Sequence, residues 1–391
     1  MHATKKNVGH TEINKLGIIS LISSISLSLV ITIWAIYINS FVSNESQVGF
    51  IITTFTLISI ASYIFTIPLI ERTNKTKLFV FTLIIYILSY LLFSFTNSLS
   101  VVIIIGIILA INGTIRVTSL GIIVRDKSKS SSVSQNIGLI YTFLNIAWVI
   151  GPLIAGFLSQ RYGIKYVFLL ASLFMFITFT LFKFFKIEDK RVTKKIDNNI
   201  LKVLKEFFKD KNRRLNYILS GGINIWWSFI YIFIPLYIID SGLSTEYVGY
   251  FLFAIAVPLI LLEYYFGRKA ARTGFKKMFF TGYLIVGIIS IICFFINPIF
   301  IILLLLVLAS FGMAMLEPTT EAYFFDIIKK NERDKYYGPY NTTIDINNAI
   351  GTLLGAIVLF FLPFKFTFIL YGILMLFLAF ISLKIKNIKE K

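Results

Sequence analysis

The sequence predicts an all-α polytopic membrane protein, with twelve transmembrane helices arranged as two six-helix repeats. Of its 391 residues, 57% are apolar and only 15% charged, and the mean hydropathy is +0.83. A soluble domain has roughly 45–50% apolar and about 25% charged residues. So little polar side chain cannot cover a water-soluble globule of this size, which excludes a soluble enzyme. Apolar runs of membrane-crossing length recur along the whole chain, and the chain aligns with itself at an offset of 200 residues.

A helix needs roughly 20 apolar residues to cross the hydrocarbon core. The runs fall near 16–41, 47–70, 78–96, 100–124, 134–159 and 165–186, then 215–239, 246–267, 278–296, 299–325, 338–362 and 366–385. The first follows a polar tail and exceeds the roughly 7–15 residues of a signal-peptide apolar region, so it reads as a retained span. A short stretch with Asn44 and Glu45 joins the first two runs. The longest polar segment lies between the sixth and seventh. The expected organisation is therefore a first bundle over 1–187, a linker over 188–214 and a second bundle over 215–391. Within the linker, Ile200, Leu201, Leu204, Phe207 and Phe208 repeat with helical spacing. That pattern suits an amphipathic helix, either on the lipid surface or packed on the base of a bundle.

Net charge is +19, and its location gives its meaning. Of the 38 Lys and Arg, 34 fall in the tail and loops on one side, 3 on the other, and Arg116 is left inside a span. By the positive-inside rule both termini are cytoplasmic; the plasma membrane is the expected location. No basic helix with interleaved aromatics and no Cys/His finger occurs, so nucleic acid is excluded as a partner. Cys293 is the only cysteine, which rules out an intrachain disulfide. His2 and His10 both lie in the N-terminal tail, which leaves no His-based metal site in the membrane. No metal or organic cofactor is expected.

The repeat is carried by more than apolar similarity. Val48-Gly49 falls on Val248-Gly249, Arg72-Thr73 on Arg272-Thr273, Lys77 on Lys277, Asp126 on Asp326, Gly138 on Gly338 and Gly151 on Gly351. Parallel halves of this kind are a transporter architecture. On these residues the chain resembles the major facilitator superfamily. The loop from Ile67 through Glu71-Arg72 to Lys77 is similar to that family's G-x-L-A-D-R-x-G-R-K loop, with Ile67 and Asn74 at glycine positions. Its repeat from Gly267 to Lys277 keeps both glycines and has Ala271 in place of the acid. The resemblance implies a gate made by Glu71, Arg72 and Asp126 in one half and by Arg272 and Asp326 in the other. A carboxylate at a helix N-terminus and a breakable Arg–carboxylate pair suit such a role.

The fifth run contains Gly151-Pro152 and Gly156, which resembles the G-x-x-x-G-P-x-x-G-G signature of the family's proton-coupled exporters, with Ala at two glycine positions. Small residues allow close helix approach and proline bends the helix; ordinary packing is the alternative.

Ionisable residues within spans are costly and are functional candidates by default. Arg116, Glu317, Asp345 and Glu321 are the candidates for proton coupling. Arg116 resembles the helix-four Arg of proton-coupled members, and Glu317 or Asp345 would carry the proton with Arg116 as counter-charge. A static Arg116–Glu317 pair is the alternative. Glu321 and Glu263 lie near span ends and can also reach toward the interface. In the seventh run Asn224, Trp226, Trp227 and Tyr231 are candidates for lining a substrate cavity, with aromatic packing as the alternative.

These features point to a monomeric secondary transporter working by alternating access, exporting small amphipathic or drug-like compounds against protons. An importer or facilitator of a sugar, amino acid or other metabolite is the second reading. A membrane-embedded lipid-modifying enzyme would need clustered catalytic groups at the interface, and the sequence has none.

Overall fold

Inside a bilayer every backbone N–H and C=O must be satisfied within the chain, which leaves helices as the solution for these apolar runs. The computed structural model describes residues 2–128, 133–187, 200–329 and 332–386. Among them there is no strand, and twelve helices are long and apolar enough to cross a membrane. In the first half these are α1 (His2–Asn39), α2 (Glu45–Arg72), α3 (Lys75–Phe95), α4 (Leu99–Lys127), α5 (Val133–Tyr162) and α6 (Ile164–Phe184). A short α7 (Ile200–Lys209) follows. The seventh crossing is α8 (Lys211–Ser228), a π turn (Phe229–Phe233) and α9 (Ile234–Asp240). The remaining five are α10 (Thr245–Thr273), α11 (Phe275–Phe295), α12 (Ile299–Ile327), α13 (Arg333–Phe361) and α14 (Lys365–Ser382).

Local chemistry explains where several helices begin. Asn44 accepts a hydrogen bond from the Gln47 N–H at 3.1 Å at the start of α2, and Asp210 accepts from Arg213 N–H at 2.9 Å at the start of α8. Both satisfy donors that a helix N-terminus leaves open. The repeat-related turns before α3 and α11 solve the same problem differently. Gly274 takes a left-handed φ of 95°, whereas Asn74 keeps φ at −70° and accepts from Lys77 N–H. Asparagine therefore replaces a glycine turn with a side-chain cap. The π turn precedes Pro235, which has no N–H and crowds the carbonyl four residues back. The Ile234 N–H reaches the Phe229 carbonyl instead, five residues back.

Two compact units result. The first comprises Met1–Phe41, Leu57–Lys194 and Ser244–Tyr250, and the second Val42–Thr56, Lys195–Leu243 and Phe251–Lys391. The first turns of α2 thus count with the second unit and the first turns of α10 with the first, two exchanges that a simple division at the linker does not include.

Within each unit the 200-residue offset holds at the level of single contacts. Gly151 lies against Ser28 in the first unit, and Gly351 against Ser228 in the second. Asn112 donates to the Thr82 carbonyl at 3.0 Å, and their repeat mates Gly312 and Gly282 meet backbone to backbone. Ser172 donates to the Ile87 carbonyl at 3.1 Å, while Gly372 closes on Gly287 at the same place. Gly249 lies against Pro152 and Gly156 in the first unit, and its mate Gly49 against Ala356 in the second. Side-chain hydrogen bonds in one half are replaced by glycine contacts in the other, and both bring helices together without a hydrophobic driving force.

The amphipathic segment resolves in favour of packing on a bundle base. Phe207 is fully buried in α7, against Tyr217 and Tyr336 of the second unit. Arg213 closes the end of α7 by donating to the carbonyls of Phe207 (3.1 Å) and Glu206 (2.8 Å). Lys335 donates to Glu206 at 2.5 Å, and this contact holds the Glu206 carboxyl below its ordinary value. A lowered folded-state value adds stability at pH above the carboxylate range, lost as pH falls through it. The pair is solvent-exposed, so its weight is small beside the buried ring.

Two predictions follow from this packing. Phe207→Ala is expected to destabilise the docked helix by about 3–5 kcal/mol, seen as faster proteolysis of the linker, with Glu206→Gln close to wild type at neutral pH. Gly151→Ala and Gly351→Ala are each expected to cost about 1–3 kcal/mol in detergent unfolding. In each case a Cβ would meet an atom that cannot rotate away, the Ser28 Cβ at 2.6 Å for Gly151 and the Ile225 Cα at 2.9 Å for Gly351.

Candidate functional site

The second unit assembles an acidic and aromatic cluster. Glu317 sits on α12, half-buried, immediately before Pro318. The indole N–H of Trp227 on α8 donates to its Oε1, and the ring of Trp227 lies 5.6 Å from that of Tyr231. The carboxyl of Glu263, from α10, faces that of Glu317 within hydrogen-bonding reach. Two carboxyl groups bond to each other only when one of them holds a proton. Three helices, α8, α10 and α12, therefore converge on one acidic and aromatic cluster.

Glu263 is a residue whose role sequence reasoning missed. Its nearness to Gly267 suggested a side chain reaching for the interface, but the helix turns it toward Glu317. The available signal was a carboxylate inside an apolar run. Trp226 is a correction in the other direction. It is 1% exposed and meets Phe229 edge-on at 5.6 Å, so it belongs to packing and not to a cavity wall. Successive helical residues are about 100° apart, so adjacent tryptophans cannot share a face. Asn224, Trp227 and Tyr231 do share one, at helical spacing. Asn224 donates to the Ser220 carbonyl at 3.1 Å.

Asp345 and Glu321 are the other two candidate acids of the second unit. Asp345 on α13 is half-buried and within electrostatic reach of Tyr217, whose hydroxyl bonds Thr342 at 3.0 Å. Glu321 is exposed and accepts from the Tyr337 hydroxyl at 2.9 Å, which matches the reading that it reaches outward.

In the first unit Arg116 on α4 is 8% exposed. Its guanidinium lies 5.8 Å from the Tyr86 ring centroid on α3, a cation–π contact. Of the gate residues, Arg72 and Arg272 are exposed at the ends of α2 and α10, and Asp126 is half-buried near the end of α4. Asp326 is exposed near the end of α12. The side chain of Glu71 lies outside the described residues. Gly151, Pro152 and Gly156 all lie within α5. Ser159, one turn past Gly156, donates to Thr245 at 3.1 Å, beside the Gly156–Gly249 approach. Among the described residues no His/Cys/Asp/Glu group could hold a metal ion.

Trp227→Phe keeps the ring and removes the N–H. It is expected to lower stability by about 1–3 kcal/mol through the unsatisfied Glu317 oxygen, measured by detergent unfolding. Trp226→Phe should instead create a cavity without changing the acidic cluster.

Comparison with known proteins places these features. The model of the Major Facilitator Superfamily matches residues 16–262 and 227–390. An uncharacterized MFS-type transporter of Methanocaldococcus jannaschii is 22% identical over 334 residues, covering 84% of this chain and 86% of that protein. The staphylopine export protein of Staphylococcus aureus is 23% identical over 259 residues, 64% of each chain. A POT family transporter solved with 5-aminolevulinic acid superposes with a TM-score of 0.79 at 12% identity, over 95% of both chains. With twelve crossings, two six-helix repeats and a family match along nearly the whole sequence, this chain belongs to the Major Facilitator Superfamily and is a multi-pass membrane transporter, not an enzyme.

Proposed function

We propose that the protein exports small amphipathic, drug-like compounds in exchange for protons, by alternating access, across the plasma membrane with both termini cytoplasmic. The observation that carries this reading is the Glu263–Glu317 carboxyl pair, held by the Trp227 N–H beside Tyr231. A pair that closes with a proton and opens without one gives the second unit a contact set that proton binding switches. Its neighbouring aromatic rings supply a surface for an apolar substrate body. Asp345 is a second acid on the route, and Arg116 supplies the one basic charge within the spans.

Three further features support the reading. The Gly151-Pro152 and Gly156 segment of α5 resembles the exporter-type signature, with Ala147 and Ala155 at two of its glycine positions, and Pro152 and Gly156 are where Gly249 closes on it. The similarity to a staphylopine export protein favours outward transport. Glu71, Arg72 and Asp126, with Arg272 and Asp326 in the other half, form the cytoplasmic gate. The exposed arginines Arg72 and Arg272 are free to pair with acids as the gate closes.

The test is proton movement in proteoliposomes carrying an internal pH dye, as lipophilic cations, carboxylate-bearing amphiphiles and common metabolites are added in turn. Wild type is expected to move protons with at least one amphipathic compound. Glu317→Gln and Glu263→Gln are each expected to reduce that movement to background, and Asp345→Asn to weaken it. Substrate flux that persists in both Gln variants with no proton movement in wild type would make the protein a facilitator.

A further inference from the structure

A guanidinium never loses its charge in a protein, so a buried arginine needs a negative partner or carries a steep desolvation cost. Arg116 is buried, with 8% exposure, and forms no ion pair among the described residues. Its Nε has no hydrogen-bond partner there either. Two acids of the first unit are engaged elsewhere or distant. Glu12 is taken by Lys127 at 3.3 Å. Asp126 lies ten residues further along α4, about 15 Å away along the helix axis.

The unpartnered atoms around it are not scattered. Asn112, Arg116 and Ser119 lie at i−4, i and i+3 on one face of α4, and Asn112 Oδ1, Arg116 Nε and Ser119 Oγ all lack partners among the described residues. On α2, Ser59 donates to the Ala110 carbonyl at 3.2 Å and Ser62 bonds Thr114 at 2.9 Å, so α2 and α4 run in step here. One turn beyond Ser62, the Thr66 hydroxyl is again buried and unpartnered. Tyr86 and Tyr90, with rings 5.5 Å apart, give the same place an aromatic wall on α3. The repeat mates of Asn112 and Arg116 are Gly312 and Leu316, so the 200-residue repeat does not reproduce this polar face of α4 at the matching positions of α12.

We propose that Arg116 is the docking point for a carboxylate group of the transported compound, with the Ser119 and Thr66 hydroxyls available to donate to it. A single guanidinium balances a single negative charge and presents a planar fork that fits two carboxylate oxygens. A dianionic phosphate would leave one charge uncompensated in low dielectric. The compound therefore carries one carboxylate, seated in the first unit beside aromatic rings. This refines the export reading by giving the substrate a chemical class, and it rests on that reading.

The test reads binding alone, in detergent with no gradient, so it succeeds or fails independently of proton coupling. Thermal unfolding is measured with benzoate and phenylalanine as carboxylate probes, against chloride at matched ionic strength and the cation tetraphenylphosphonium. Benzoate or phenylalanine is expected to raise the unfolding temperature of wild type, with chloride and the cation inert at Arg116. Arg116→Lys keeps the charge but not the fork and should weaken the apparent affinity about ten- to a hundredfold. Arg116→Gln should abolish the shift. Without ligand, Arg116→Gln should also unfold at a higher temperature than wild type, because it removes an uncompensated buried charge; a structural ion pair would give the opposite sign. The proposal is overturned if no carboxylate probe shifts wild type, if the shift survives in Arg116→Gln, or if the empty variant is the less stable protein.

Discussion

Lipid tails are as apolar as the side chains they touch, so burying leucine against leucine gains little inside a bilayer. What holds these helices together is close approach of backbone to backbone, and the rest of the structure depends on it. At Gly151 and Ser28, Gly351 and Ser228, and Gly312 and Gly282, a side chain larger than the one present would collide with the neighbouring helix. These crossings fix the rotation of α1, α5, α8, α11, α12 and α13 about their own axes. That rotation then decides which polar residue faces an interior and which faces lipid.

The same low dielectric sorts the charges. Most lysines and arginines sit in loops, where water and lipid headgroups accept them at little cost. The few ionisable groups inside spans are retained against a penalty, and each unit handles that penalty differently. In the second unit two carboxyl groups face one another across α10 and α12 with an indole N–H on one of them. In the first a guanidinium rests against an aromatic ring. Charged groups left this lightly compensated make poor mortar. They are suited to interactions that come and go.

Much of the architecture was legible in the sequence because the bilayer imposes lengths and composition directly. The twelve crossings follow from apolar runs, and the repeat follows from glycine, arginine and aspartate matches at one offset, which the structure reproduces contact by contact. Helix rotation was not legible. Trp226 and Trp227 are neighbours of identical chemistry, and only the crossing of α8 against α13 decides that one is core and the other meets Glu317. Glu263 was hidden for the same reason: distance from a span end suggests reach toward water, while its azimuth on α10 sends it inward. The exchange of Val42–Thr56 and Ser244–Tyr250 between units was also invisible, since a helix that counts with two bodies reads as one continuous run.

The π turn before Pro235 holds one residue more than an α turn would. In an ideal helix each residue advances the side-chain direction by about 100°, so this single residue acts as an angular spacer between α8 and α9. It lets Phe233 and the residues after it keep their own facing while Asn224, Trp227 and Tyr231 keep theirs. A helix of strict α geometry through the same segment could satisfy one of the two faces but not both. The seventh crossing is therefore a hinge in azimuth, with its two ends aimed separately by one surplus residue.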